Sequence, residues 1–189
     1  EVTVGGQGYT NKLQDFVTEA GKHIGEDYHW TSRMSGLGPG QHWCAAFVVA
    51  CRNAVGGLDD VIAMSYGAGQ IVRQYASVGN GTFETGPAQG NYNAQPQVGD
   101  LVLFRWESPA AYRGQDKYFA DHVEIVVKVS SYDVTTIGGN TGGGCPWYSH
   151  VNKHTYSRSS KSISGFYHPD WSKVGCDGYM GTSSGGVIT

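Results

Sequence analysis

Gln41-His42-Trp43-Cys44-Ala45-Ala46-Phe47-Val48-Val49-Ala50-Cys51 decides the fold. From about Trp43 to Ala54 this stretch reads as a helix that is apolar nearly all round, so it belongs at the buried centre of a domain. Gly56-Gly57 supplies its stop. The stretch that complements it is His122-Val123-Glu124-Ile125-Val126-Val127, an apolar strand opened by an imidazole. One puts a thiol at a helix start and the other puts a base at a strand start. A thiol becomes a good nucleophile when a base stands near it, so the pair points to covalent chemistry at cysteine.

Working outward, Glu1 to Tyr9 reads as an extended lead-in. Asn11 followed by Gln14 has the form of a capping box. Leu13, Phe16, Val17, Ala20 and Ile24 then recur at helical spacing, which predicts an amphipathic helix from Asn11 to about His23. Tyr28 to Gln41, with Gly36, Gly38, Pro39 and Gly40, reads as a loop. A third helix is expected from about Ala68 to Tyr75, and Gly79 to Pro96 as a surface connection. The pattern then turns to strands: Leu101 to Phe104, His122 to Val129, Val134 to Ile137 and Ser162 to Tyr167. Helices first and strands after imply an α+β class, with an antiparallel sheet packed on the Cys44 helix. The expected organisation is one domain over residues 1–171 and a Gly/Ser-rich tail or linker over 172–189.

Composition narrows the options. The 189 residues suffice for one domain with a real core. Charged residues are 15%, below the roughly 25% of a typical domain, while 29 Gly and 12% aromatics make a polar, Gly- and aromatic-rich chain of a kind common among secreted proteins. A net charge of −3 gives no basic footprint for nucleic acid. No apolar run approaches the roughly 20 residues of a membrane span. The first residue is Glu1 and no signal peptide is visible, so the expectation is a mature form or an excised domain. Cys44 and Cys51 lie about 10 Å apart along one helix at about 1.5 Å per residue, too far for a disulfide. Cys145 and Cys176 are the one pair open to a bridge, and the sequence leaves both states open. Cys51, on the buried body of the helix, reads as core.

Among the 7 histidines, only His122 opens a strand. His23 and His29 lie in or near the first helix, and His42 sits on the loop side of Cys44. His150 and His154 read as members of a polar loop, and His168 precedes Pro169. No pair has a convincing metal spacing, so no zinc site is expected.

With these residues in hand, a family resemblance appears. Trp43 to Val48 with Cys51 resembles the nucleophile motif of CHAP domains in the NlpC/P60 superfamily. Gly99-Asp100-Leu101-Val102-Leu103-Phe104 resembles the Gly-Asp strand of that family, and Asp121 to Val126 its histidine strand. Ile137-Gly138-Gly139-Asn140-Thr141 and Ile163 to Pro169 are similar to its later strands. The resemblance implies a reduced papain-like fold and cleavage of amide bonds in bacterial peptidoglycan. It implies an endopeptidase or an N-acetylmuramoyl-L-alanine amidase, secreted or phage-borne as in an endolysin, within a larger multi-module chain. Two alternatives stay open: a papain-like acyltransferase or deamidase, and a non-catalytic wall-binding module.

One departure bears on the site. The family carries an acidic residue two places before the Asn, where this chain has Gly138. Asn140 remains, and its side-chain carbonyl can orient an imidazole as the third member of a Cys-His-Asn set. If Lys128 pairs with Val134, Glu124 faces Gly138 and His122 faces Asn140, so Glu124 could enter the space and take over the acidic role. For the oxyanion, the Cys44 backbone N–H is one candidate donor; Tyr28, which resembles the family's upstream tyrosine, and Gln41 compete as the second. Trp43, Tyr66, Trp106, Tyr112, Tyr118, Trp147 and Tyr148 could wall a substrate groove, with Trp147-Tyr148 as its lip. Some CHAP domains hold calcium in an Asp-rich loop before the nucleophile. Only Glu26 and Asp27 lie there, so neither metal nor other cofactor is expected.

Overall fold

A computed structural model of the chain describes residues 7–143 and 147–174. Among the described residues, four α-helices precede all six strands of an antiparallel sheet. The helices are α1 (Gln7–Lys22), α2 (Tyr28–Ser35), α3 (Cys44–Val55) and α4 (Ala68–Ala76). The strands are β1 (Gly81–Thr85), β2 (Leu101–Phe104), β3 (His122–Val129), β4 (Asp133–Thr141), β5 (His150–Ser157) and β6 (Ile163–Pro169). They lie in the order β1-β6-β2-β3-β4-β5. The class is therefore α+β, as the order of patterns predicted.

The eight residues from Cys44 to Cys51 are all buried. Around α3 gather Phe16 and Ala20 of α1, Ile71 and Val72 of α4, and the inward side chains Leu101, Leu103, Val123, Ile125 and Ile137 of the sheet. Alternation along β3 sends Val123 and Ile125 to this core. His122, Glu124 and Val126 lie on the opposite face, where Val126 joins Val102, Phe104 and Phe166 in a second apolar cluster.

Several local expectations are corrected. The first helix begins at Gln7, so its start lies before Asn11, and residues 7–9 are not an extended lead-in. Residues 28–35 are helix rather than loop. The signals were present: Asp27 is the N-cap, its carboxylate accepting the His29 N–H at 3.0 Å, and Gly36 closes the helix in the left-handed region at φ 81°. Residues 81–85 form an edge strand against β6, and 150–157 form another against β4. β1 has 5 residues and β5 has 8, and both are mostly polar, so neither carries strict apolar alternation. The packed structure runs on through Trp171, whose ring lies 6.0 Å from Phe16, to Val174. The proposed bridge between Cys145 and Cys176 falls outside the described residues.

The β3–β4 register carries one irregularity. Lys128 pairs with Thr135, not Val134, because a bulge at Val127 shifts the turn end by one residue. Beyond the bulge, Val126 pairs with Thr136 and Ile125 with Ile137. Continuing that register sets Glu124 opposite Gly138. The bulge thus absorbs the error at the turn before it reaches the histidine end of the strand.

Gly139 lets α3 sit directly on β4: a Cβ there would lie 2.5 Å from Trp43 Cζ3 and 2.7 Å from Phe47 Cβ. Gly139→Ala is expected to cost about 1–3 kcal/mol through overpacking. In urea unfolding the midpoint should fall while the slope stays unchanged.

Candidate active site

Cys44 is the first residue of α3, where backbone N–H groups lack helical partners and favour an anion. His122 is the first residue of β3. The fold brings the two into hydrogen-bonding contact, although 78 positions of sequence number separate Cys44 from His122. Both residues are 6% exposed. Burial pushes the thiol pKa up, but the His122 hydrogen bond and charge and the N–H groups of Val123 and Ala45 outweigh it. The thiol therefore ionises below the ordinary thiol range. Cys51, two turns further on and fully enclosed, has its pKa raised well above that range by burial.

The other ring nitrogen of His122, Nε2, lies 3.1 Å from Glu124 Oε1. That leaves Nδ1 for the thiol. Glu124 is completely buried, and it fills the space that Gly138 opens. A Cβ at position 138 would lie 2.4 Å from Glu124 Cγ and 2.6 Å from Oε1. An acidic side chain at 138 and the Glu124 carboxylate are therefore mutually exclusive occupants. Thr136 donates its hydroxyl to Oε2, and His154 Nδ1 lies 3.0 Å from Oε1. Burial raises the carboxyl pKa, yet these donors and the His122 charge lower it to about 2. Burial also opposes the His122 imidazolium, but the Cys44 and Glu124 hydrogen bonds and charges raise its pKa to about 9.

Asn140 occupies the end of β4 with φ 60°, a conformation asparagine tolerates better than most residues. Its carbonyl accepts the Ser149 hydroxyl at 2.9 Å, and Ser149 accepts the Trp43 indole N–H at 3.1 Å. Its amide Nδ2 is 3.4 Å from His42 Nδ1. These bonds tie the end of β4 to the segment that delivers Cys44. Asn140 also lines the same cleft as His122.

Two hollows belong to this region, one lined by chain neighbours of Cys44 and one by its imidazole partner. Tyr28, Gln41, Trp43 and Trp147 do come together, around a hollow of about 10 Å³. That holds about one water molecule and no side chain. Trp147 forms its rim, 52% exposed and edge-on to Tyr28 at 5.4 Å. Trp43 is corrected: at 2% exposure it is a core residue backing the hollow, not an open groove wall. The roomier cleft, about 240 Å³, is lined by Trp106, His122, Glu124, Asn140, Thr141, His154 and Tyr156. Trp106, 48% exposed, stacks on Phe104 at 4.7 Å beside His122. Its backbone N–H is held by Asp121 Oδ2 at 2.9 Å.

His154 is the site residue that sequence reading placed wrongly. It stands on β5 opposite Thr136, not in a polar loop. Only the pairing of β5 with β4 could have located it. Among the described residues, no group of three His, Cys, Asp or Glu side chains is arranged to hold a metal ion.

An α+β domain with a thiol at a helix N-terminus, paired to a strand histidine, is the class that this fold and site define. Residues 36–140, more than half of the chain, match the CHAP domain family, and the chain belongs to that family. No curated protein matches it by sequence. Two solved structures of Ly7917, one described as holding the hydrolyzing product of MDP, are similar to it at 17% identity and a TM-score of 0.47. The similarity covers 83% of this chain and 62% of that one, so the chain spans less than two thirds of that protein's length.

The site makes stability depend on pH in a definite sense. The raised His122 pKa contributes fully below about 6.5 and is lost as pH rises through about 9; the lowered Glu124 pKa contributes above about 4.5 and is lost as pH falls through about 2. Both contributions are complete from about pH 4.5 to 6.5. In Glu124→Gln the His122 imidazole should titrate nearer its ordinary value by NMR. The decline in urea midpoint above about pH 6.5 should flatten as well.

Proposed function

We propose that this chain is a cysteine-dependent peptidoglycan hydrolase, cleaving an amide bond of the stem peptide or cross-bridge, and that it acts at the bacterial wall outside the cytoplasm. One observation carries the reading. A depressed-pKa thiol at a helix start is bonded to an imidazole whose far nitrogen rests on a buried carboxylate. Membership of the CHAP family supports the substrate class.

The chemistry follows from the geometry. His122 Nδ1 takes the Cys44 proton, and the sulfur attacks the amide carbon. The oxyanion that forms is met by the Cys44 backbone N–H, with Gln41 or Tyr28 as the candidate second donor. Collapse breaks the C–N bond as the imidazolium gives its proton to the leaving amine. A thioester remains. His122 then takes a proton from water, hydroxide adds to the thioester, and thiolate leaves with the imidazolium beside it. Glu124 keeps the imidazole oriented and stabilises its charged form throughout; it gains no proton. The cleft beside Trp106 offers an apolar wall with polar side chains such as Thr141 and His154 around it, which suits an extended polar peptide.

Wall suspensions treated with the purified chain should clear, and Cys44→Ala and His122→Ala should each lose about a thousandfold or more in rate. Mass spectrometry of the digest then assigns the bond. A freed lactyl end on muramic acid identifies an amidase, and a new peptide amine an endopeptidase. Clearing by Cys44→Ala at the wild-type rate would remove the proposal.

A further inference from the structure

The mechanism above uses Cys44, His122 and Glu124 and gives no role to a second histidine of the same cleft. His154 Nδ1 lies 3.0 Å from Glu124 Oε1, the same oxygen that His122 Nε2 reaches at 3.1 Å. Oε2 is taken by Thr136. Two histidines thus converge on one oxygen of a carboxylate that has no access to water. The His154 side chain is 32% exposed and lines the cleft. The titratable groups facing it are Glu124 and His122 of β3 and Tyr156 of its own strand, whose ring lies 5.8 Å away. Cys44 of α3 stands behind His122. From β4 it meets Thr136, which carries no charge.

A charge count shows what this second histidine does. With Glu124 ionised, thiol plus imidazolium makes a group of three with no net charge. Thiolate plus imidazolium, or thiol plus neutral imidazole, makes a group with a net charge of about −1. These last two are the forms that can react. Burying an unmatched charge is costly, and Cys44, His122 and Glu124 are nearly or wholly enclosed. An N–H aimed at Glu124, or a full positive charge on that ring, offsets the cost. The carboxylate acts back on His154, holding its pKa above the ordinary histidine range by the hydrogen bond, against burial.

We propose that His154 is a positioning residue of this site: its Nδ1–H fixes Glu124 Oε1 against His122 and offsets the negative charge that the Cys44–His122–Glu124 group carries when it can react. The proposal rests on the cysteine-hydrolase reading. It extends that reading from the strand that bears His122 to the neighbouring edge strand, so that β5 becomes part of the working machinery.

The test compares wild type, His154→Asn and His154→Phe in the full chain. Asparagine keeps an N–H near the Nδ1 position without a titratable charge, whereas phenylalanine fills the space without a donor. The first readout is the pH dependence of iodoacetamide alkylation, followed on the peptide containing Cys44; it needs no substrate. The second is kcat and KM on soluble wall fragments. His154→Phe should move the alkylation midpoint up by about one pH unit. It should lower kcat about tenfold while KM stays within about twofold. His154→Asn should recover most of kcat and retain part of the pH shift.

A wild-type alkylation profile in natively folded His154→Phe overturns the proposal, as does His154→Asn being no better than His154→Phe. Should His154→Phe fail to fold, the asparagine variant decides: an unshifted midpoint overturns the proposal and a partial upward shift upholds it. Failure of wild type to degrade walls would sink the hydrolase reading, while the alkylation profiles would still decide the role of His154.

Discussion

A carboxylate with no exposure to water must find its own donors, and Glu124 does so by drawing three strands around it. An ionised carboxyl in such a place is ruinous unless every lone pair is used. His122 comes from its own strand, Thr136 from β4 and His154 from β5. The opening for the carboxylate exists only because position 138 carries no side chain. The register that sets Glu124 beside that opening survives because the bulge at Val127 takes up the extra residue near the turn. The imidazole of His122, the carboxylate that holds it and the pairing order of three strands therefore express a single electrostatic requirement.

The adjacent glycine serves the opposite face. Gly138 admits Glu124 on one side of β4, and Gly139 admits Trp43 and Phe47 of α3 on the other. Close seating of α3 brings its first residue to the first residue of β3, so the thiol meets the imidazole at the margin of the sheet. The bonds from Trp43 through Ser149 to Asn140, and from Asn140 to His42, hold the same junction from the loop side. Asn140 thus binds the frame that presents the Cys44 thiol, while the carboxylate of Glu124 takes the imidazole Nε2.

Two thiols on one helix show how strongly position governs reactivity. Cys44 and Cys51 are both buried. Burial acts alike on each, penalising the thiolate. At Cys44 an imidazole and two backbone N–H groups reverse the balance, whereas at Cys51 burial and the Glu19 charge outweigh one backbone N–H and the thiol stays protonated. The site also has an uneven floor. The hollow under Trp147 has room for a water molecule, and the cleft beside Trp106 has room for part of a peptide.

The sequence by itself determined the buried helix behind Cys44, the four apolar strands, and a thiol and an imidazole at the mouths of two apolar elements. These are local signals: apolar periodicity, glycine stops and a polar residue at the mouth of an apolar run. Glycine at 138 even marked where a side chain was missing. Asp27 and Gly36 had written a helix into residues 28–35, yet the glycines that follow them masked it. Only the tertiary structure decided the rest. β1 and β5 are edge strands, β1 set against β6 far along the chain and β5 against the β4 strand before it, so their own residues carry little pattern. The burial of Trp43, the slot for Glu124 and the convergence of His122 with His154 all depend on which strands lie side by side. A side chain's chemistry is written at its own position; its neighbours, and hence its charge and its reach, are set by packing across the whole domain.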